Sequence, residues 1–188
     1  MEYIQQNILD TTLELFNERG LDFTMNDIAQ SMHIAKKTIY RFFSSKEDLL
    51  IALLDYGFGN IQKEKQRILS SDASIAKRLE QVIIAMPKQY AKIDFRVLSS
   101  LKDTYPQVYI RLNEHLEKDW EPIIKLINEG IRKKEIRKIN TFVFRQIITA
   151  TFEQLLSTDE LQERNLTYAK ALKEMMNIIM KGMVIDNE

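Results

Sequence analysis

Apolar residues recur at intervals of three and four along almost the whole chain, which is the spacing of one face of an α-helix. The pattern that indicates strands, in which β-branched residues alternate between two-residue turns, is absent. Only five glycines and three prolines occur in 188 residues, so few positions favour an interruption of the helices. The sequence therefore predicts an all-α fold of about nine helices.

The ends of the first two helices can be located in the sequence. An apolar stripe runs through Ile4 and Ile8 and stops at Gly20, a residue type that often ends helices. Thr24 and Asp27 have the spacing of a capping box, in which the threonine oxygen accepts a hydrogen bond from the next helix. A second helix of about two turns is predicted to start there.

A third and a fourth helix are predicted after a short break at residues 33–34. The third spans residues 35–43, and its inner face is expected to hold Ala35, Ile39, Phe42 and Phe43. Ser44 and Glu47 again have capping-box spacing and begin the fourth helix, which is predicted to continue towards Leu69.

Positive charge is concentrated in one short stretch, although the chain as a whole has no net charge. It contains 27 basic and 27 acidic side chains, whereas residues 36–46 contain four bases and no acid. At about 100° per residue, the outer face of the third helix carries cations and hydrogen-bond donors. They are Lys36, Lys37, Thr38, Tyr40 and Arg41.

Two short helices joined by a tight turn, the second with a basic outer face, can place a helix in the major groove of DNA. Lysine and arginine displace counterions from phosphates, and Tyr40 and Thr38 can donate to phosphate oxygens. Lys37 or Arg41 can reach O6 and N7 of guanine. The sequence therefore predicts double-stranded DNA as a partner.

Four segments of the N-terminal region keep a particular order and spacing: ILDTTLELFNERG at 8–20, Thr24, DIA at 27–29 and TIYRFFSSKEDLL at 38–50. Together they resemble the DNA-binding domain of the tetracycline-repressor (TetR) family. The family usually has glycine where His33 stands and serine where Ala35 stands. Histidine tolerates a positive φ, so the turn is expected to form, whereas Ala35 cannot cap the third helix.

The resemblance implies a regulator with two domains. Residues 1–46 are expected to form the DNA-binding domain, and residues 47–188 a helical domain that binds an effector and dimerises. The helix at residues 36–41 is expected to read bases, and contacts to the DNA backbone are expected from Thr24, Thr38, Tyr40 and Lys46. The implied activity is that of a repressor that binds a palindromic operator as a dimer and is released by a small molecule.

The middle of the chain carries further helical stripes. One covers residues 75–86 and is interrupted by Pro87, and a short helix is predicted at 95–102. A longer helix is predicted from residue 106 to residue 127, with a kink at Pro122.

The last two helices, at residues 142–156 and 168–183, have apolar residues on more than one face. Val143 lies off the main apolar row of the first, and Ala171 and Ile178 lie off that of the second. A helix with so wide an apolar surface needs cover on two sides, which its own core and a symmetry mate can supply. The pattern predicts a homodimer through these two helices, as the resemblance also implies.

Six aromatic residues are candidates either for a ligand cavity or for an ordinary core: Tyr90, Phe95, Tyr105, Tyr109, Trp120 and Phe152. Taken one at a time, such side chains are more often part of a core. Members of the TetR family resemble one-component sensors, so some of the six are expected to line a cavity for an apolar or aromatic effector. The identity of that effector stays open.

Several classes of chemistry are excluded by what the sequence lacks. It has no cysteine, which removes disulfides, thiolate zinc sites and cysteine nucleophiles. The two histidines, His33 and His115, are too far apart to form a metal-binding motif. No nucleophile stands at a useful spacing from a base, and no glycine loop suits a phosphate. We therefore expect no enzyme, no metal and no cofactor.

The chain has no apolar run of the roughly 20 residues that a membrane helix needs, and its start lacks the order of a signal peptide. A cytoplasmic protein without a membrane partner is expected. The alternative to a DNA-binding regulator is a dimeric helical module that binds a small molecule and never contacts DNA.

Overall fold

The computed structural model describes five stretches of the chain: residues 3–87, 90, 97–118, 120–158 and 160–185. Within these stretches the backbone forms eleven α-helices and no strand, which confirms the all-α prediction. In chain order the helices are α1 (Tyr3–Arg19), α2 (Met25–Ser31), α3 (Lys36–Tyr40), α4 (Lys46–Leu69), α5 (Ile75–Ile83), α6 (Val97–Thr104), α7 (Pro106–Glu117), α8 (Trp120–Arg132), α9 (Thr141–Ser157), α10 (Glu160–Glu163) and α11 (Tyr168–Met183).

The chain divides into two compact units. Unit one comprises residues 1–60 and 92–115, and unit two comprises residues 61–91 and 116–188. Unit one therefore contains α1 to α3, the first part of α4, α6 and nearly all of α7. The other helices belong to unit two.

Gly20 ends α1, as the sequence predicts. Its φ is 60°, which glycine adopts without strain, and its N–H donates to the carbonyl of Phe16 at 2.9 Å. The buried face of α1 begins at Ile8, whereas Ile4 is 44% exposed. The predicted apolar stripe is thus one turn shorter at its N-terminal end.

The capping box at the start of α2 is confirmed. The N–H of Asp27 donates to Thr24 Oγ1 at 3.2 Å, and the N–H of Thr24 donates to Asp27 Oδ2 at 2.7 Å. The two bonds satisfy donors that the helix itself leaves free. Met25, Ile28 and Ala29 then bury the inner face of α2.

α3 is shorter than the helix predicted at residues 35–43. The N–H groups of Phe42 and Phe43 both donate to the carbonyl of Ile39, at 2.9 and 3.0 Å, and this tightened turn ends the helix. Ile39 and Phe43 are buried, as predicted, and Phe42 is half-buried. Ala35 is exposed, because it precedes the first helical residue, so its predicted place on the inner face is wrong.

The predicted cap of α4 is wrong by one residue. The N–H of Asp48 donates to Ser45 Oγ at 3.0 Å, so Ser45, and not Ser44, is the N-cap residue. The hydroxyl of Ser44 instead donates to the carboxylate of Asp48. From this cap α4 continues to Leu69, as predicted.

The long helix predicted from residue 106 to residue 127 is two helices, α7 and α8. Pro122 is the third residue of α8, where its missing N–H removes no hydrogen bond, because the first turn of a helix has no partners for its N–H groups. The predicted kink at Pro122 is therefore wrong, since the helices separate before this proline. Together with the single turn of α10, this break raises the number of helices from about nine to eleven.

Unit two is organised around a hydrophobic core to which α5, α8, α9 and α11 contribute. At its centre Leu79, Ile127, Ile148 and Met176 are fully buried. Burial of each such side chain contributes about 1.5–3 kcal/mol of transfer free energy. α5 ends at Ile83, so the predicted stripe stops before Met86.

α9 and α11 lie where the sequence predicts them. Each places a buried row of side chains on the core and carries a second apolar row that stays exposed: Phe142, Val143 and Ile147 on α9, and Ile178 on α11. The exposed fractions of these four lie between 49% and 73%. Ala171 is buried, so its predicted place on the outer row is wrong. Among the helices described above, none combines the length and the hydropathy that crossing a bilayer requires.

Candidate nucleic-acid interface

The turn between α2 and α3 forms around a left-handed residue. His33 has φ 52°, its N–H donates to the carbonyl of Gln30 at 3.1 Å, and the N–H of Ile34 donates to the carbonyl of Ala29 at 3.0 Å. The prediction that His33 would accept a positive φ is confirmed. The backbone therefore reverses within a few residues and brings the two short helices together.

α3 begins without a side-chain cap. Ala35 has the extended backbone of an N-cap residue, with φ −69° and ψ 137°, but its methyl group accepts no hydrogen bond. The first N–H groups of α3 consequently have no side-chain acceptor from the cap position. Such free N–H groups at the start of a helix can bind an anion such as a phosphate.

The outer face of α3 is a cationic surface. Lys36, Lys37 and Arg41 are exposed, and no described carboxylate forms an ion pair with any of them. Tyr40 is 44% exposed, and the ammonium of Lys36 lies 5.7 Å from the centroid of its ring. Thr38 is half-buried on the same helix. The structure thus brings five of the seven predicted DNA-binding residues together, four on α3 and the fifth, Arg41, at its C-cap.

Thr24 is the sixth predicted residue, and both of its hydrogen-bond donors are directed to one carboxylate. Its hydroxyl donates to Asp27 Oδ2 at 2.7 Å, and its N–H donates to the same oxygen. These bonds from Thr24 hold the pKa of Asp27 below its usual value, with further help from the charges of Arg19 and Lys46. A phosphate at Thr24 would therefore meet an ionised carboxylate.

Lys46 is the seventh predicted residue, and its ammonium faces the loop between α1 and α2. It donates to the carbonyls of Leu21 and Phe23, both at 2.5 Å, and lies 4.3 Å from the centroid of the Phe23 ring. Burial lowers the pKa of Lys46, against the opposing effect of the carboxylates of Asp22 and Asp27. The side chain is half-buried and is already engaged within unit one.

The comparisons with known proteins agree with this geometry. A family model described as bacterial regulatory proteins of the tetR family matches residues 8–53, which span α1 to the first turns of α4. The HTH-type transcriptional regulator YvaF of Bacillus subtilis is 23% identical over 186 residues, with 98% of each chain covered. Residues 8–53 are thus similar to the DNA-binding domain of the TetR family.

Two further relatives match nearly the whole length of this chain. The biofilm operon icaADBC HTH-type negative transcriptional regulator IcaR of Staphylococcus aureus is 23% identical over 190 residues, covering 95% of this chain and 100% of IcaR. The crystal structure of the transcriptional regulator FadR from Bacillus subtilis in complex with stearoyl-CoA has the same fold, with a TM-score of 0.68 at 24% identity and 96% of each chain covered. All three of these relatives are described as transcriptional regulators.

The aromatic residues predicted to line an effector cavity are divided between the two units of the chain. Tyr105 and Tyr109 are half-buried in unit one, and Tyr90 is buried in unit two. Trp120 belongs to the hydrophobic core of unit two and Phe152, partly buried, packs against that core, which favours the core alternative for these two. Phe95 lies outside the described residues. A role of any of the six in binding an effector stays a prediction.

A junction between α4 and α7 in unit one was not predicted. Asp55 accepts from Arg111 Nε at 2.7 Å and from His115 Nε2 at 2.6 Å, and the His115 ring is stacked on Phe58 at a centroid distance of 4.4 Å. A carboxylate only accepts, so the proton of the imidazole is on Nε2. The sequence predicts only an ordinary helical position for His115, because its partners are about 60 residues away and no local pattern connects them.

Proposed function

We propose that this chain represses transcription by binding a palindromic operator as a homodimer, with α3 of each protomer in the major groove. The observation that carries the proposal is the cationic outer face of α3, where Lys36, Lys37 and Arg41 are exposed and form no ion pair with the described carboxylates. In a chain with zero net charge, such a face gives a local attraction for phosphates that the molecule as a whole lacks.

The side chains of α3 and of its C-cap residue, Arg41, divide into two roles. Arg41 suits the bidentate contact with O6 and N7 of guanine, which distinguishes one sequence from another, and Lys36 and Lys37 suit ion pairs with phosphates. Tyr40 and Thr38 suit donation to phosphate oxygens, which sets the register of the helix in the groove. Residues 1–46 would then form the DNA-binding domain.

The homodimer would form through α9 and α11. Their exposed apolar side chains, Phe142 and Ile178 above all, are 69% and 73% exposed in the single chain. Large exposed apolar side chains that cluster on two helices are typical of an interface, and a two-fold axis would pair them in a four-helix arrangement. A dimer is also needed to bind a palindromic operator, because each half of the palindrome binds the helix-turn-helix of one DNA-binding domain.

Repression and release by an effector are supported by the relatives. IcaR is described as a negative transcriptional regulator, and the FadR structure contains stearoyl-CoA. We extend both properties to this chain and propose an apolar small molecule as its effector. Such a molecule lowers operator affinity only if it binds the DNA-free state more tightly than the DNA-bound state. Action on the chromosome places the protein in the cytoplasm.

A gel-shift experiment with genomic fragments tests DNA binding. The purified chain is expected to retain a small subset of fragments in moderate salt. Lys37→Ala and Tyr40→Ala are each expected to weaken that retention about tenfold, as for the loss of one base or phosphate contact. Lys138→Ala removes an exposed lysine of unit two and serves as the matched control, which should bind as the wild type does.

Two outcomes would contradict the proposal. Failure to retain any fragment would favour the alternative of a dimeric helical module that binds a small molecule only. Retention that is equal for all fragments and insensitive to both α3 variants would remove α3 from the interface.

A further inference from the structure

We infer that Lys46 is a positioning residue, which holds the α1–α2 loop in place and does not contact the DNA. This inference rests on the proposed function, because it concerns how the same DNA-binding domain binds its operator. It differs from the expectation based on the TetR resemblance, which gives Lys46 a contact with the DNA backbone.

The ammonium of Lys46 already has a set of partners. Two of its three N–H groups donate to the carbonyls of Leu21 and Phe23 at 2.5 Å. The charge lies over the Phe23 ring at 4.3 Å and is 5.7 Å from the centroid of the Tyr105 ring, so two aromatic faces contribute cation–π attraction.

The two carbonyls and the Phe23 ring lie in the loop that immediately precedes α2, so this loop determines where α2 begins. The loop from Gly20 to Phe23 leads into the capping box, and the carbonyl of Phe23 belongs to the peptide that joins Phe23 to Thr24. The Phe23 side chain is 1% exposed, which anchors the same residue in the core. Lys46 is the first residue of α4, and its hydrogen bond holds this peptide in place. It therefore holds the start of α2 in place and, through the turn at His33, the orientation of α3.

A phosphate is a poor alternative partner for this ammonium. To bind one, Lys46 would have to leave two charge-assisted hydrogen bonds and the face of an aromatic ring. The charged side chains that act on it are the carboxylates of Asp22 and Asp27, which repel a phosphate. Lys36 and Lys37 are exposed, and among the described residues neither donates to a carbonyl as Lys46 does; Lys36 has only the Tyr40 ring, at 5.7 Å.

The salt dependence of DNA binding separates a positioning lysine from a phosphate contact. The full-length Lys46→Met and Lys37→Met variants are titrated onto a labelled duplex retained in the gel-shift experiment, between about 50 and 200 mM salt. Lys37→Met should reduce the slope of log K against log[salt] by about 0.9 for each head. Lys46→Met should leave the slope unchanged but lower the affinity for DNA about tenfold at every salt concentration, because the DNA-binding domain of this variant is less ordered than that of the wild type.

Hydrogen exchange on the free protein provides a measurement that needs no DNA. Faster exchange of the amides of residues 21–25 in Lys46→Met, with those of α9 unchanged, supports the inference even if the proposed function fails for lack of any retained duplex. A slope reduced as much as in Lys37→Met overturns it, and so does an exchange rate equal to that of the wild type. Should Lys46→Met lose its helical circular dichroism, Lys46→Gln, which keeps an amide donor, takes its place.

Discussion

At the scale of single residues, Asp55 shows how a carboxylate can join two helices. It accepts one hydrogen bond from Arg111 and one from His115, and Arg111 is shared with Glu114 at 2.7 Å. Burial tends to raise the pKa of Asp55, but the bonds and charges of Arg111 and His115 outweigh it and leave the pKa below the usual 3.8. The ionised form is therefore favoured by folding.

This shift predicts how stability depends on pH. Because the folded-state pKa is depressed, the contribution of Asp55 is present above pH 3.8 and is lost as the pH falls through the folded-state value. Asp55→Asn should lower the free energy of unfolding by about 1 kcal/mol near pH 7, a modest value because water screens this carboxylate. Urea unfolding at about pH 7 and pH 3 measures the difference, which should be smaller at the lower pH.

The control is Asp103→Asn, which changes an exposed carboxylate on α6. It should alter stability little at either pH. A loss in Asp55→Asn that stays constant down to about pH 3 would mean that Asp55 acts by its shape and not by its charge.

Local residue chemistry could be predicted where the partners are close in sequence. Gly20, the Thr24–Asp27 box and the positive φ of His33 each follow from a handful of neighbouring residues. Lys46 could not be interpreted in this way, because its carbonyl partners lie 23 and 25 residues earlier and are met only when α4 packs beside the loop. The same holds for His115.

At the scale of helices, periodicity located the elements well and their breaks less well. The predicted bounds of α9 and α11 agree with the structure to within one residue, because a long apolar row still indicates a helix when a few of its residues depart from the pattern. α7 and α8 were merged, because Pro122 suits the first turn of a helix as well as a kink. The sequence also could not show which apolar row is exposed, and Ala171 was assigned to the wrong one.

The exposed rows of α9 and α11 lead to a prediction about assembly. Ile178→Glu replaces a side chain that is 73% exposed in the single chain and is proposed to lie near the two-fold axis. Two buried like charges would oppose association, so dimer affinity should fall at least about tenfold. Sedimentation velocity over a range of concentrations measures the change.

Ile110→Glu makes the same replacement on α7, at a residue that is 50% exposed. It should leave the dimer intact. If Ile178→Glu sediments as the wild type does, or if both variants dissociate equally, then α9 and α11 do not form the interface as proposed.

At the scale of the whole molecule, function depends on where the charge lies and not on how much there is. The 27 bases and 27 acids cancel, yet α3 carries three exposed cations without an ion pair to the described carboxylates. The proposed dimer would present this surface twice, as binding to both halves of a palindrome requires. The sequence predicted this surface almost completely, because a five-residue helix needs only its own residues to define its faces.

The salt dependence of wild-type binding to a retained duplex tests this account most directly. Two DNA-binding domains, each with Lys36 and Lys37 paired with phosphates and about 0.9 ions released per contact, predict a slope of log K against log[salt] of about −4. Fluorescence anisotropy between about 50 and 200 mM salt measures it. A slope near zero, or no complex even at the lowest salt, would contradict the claim that the cationic face of α3 binds DNA.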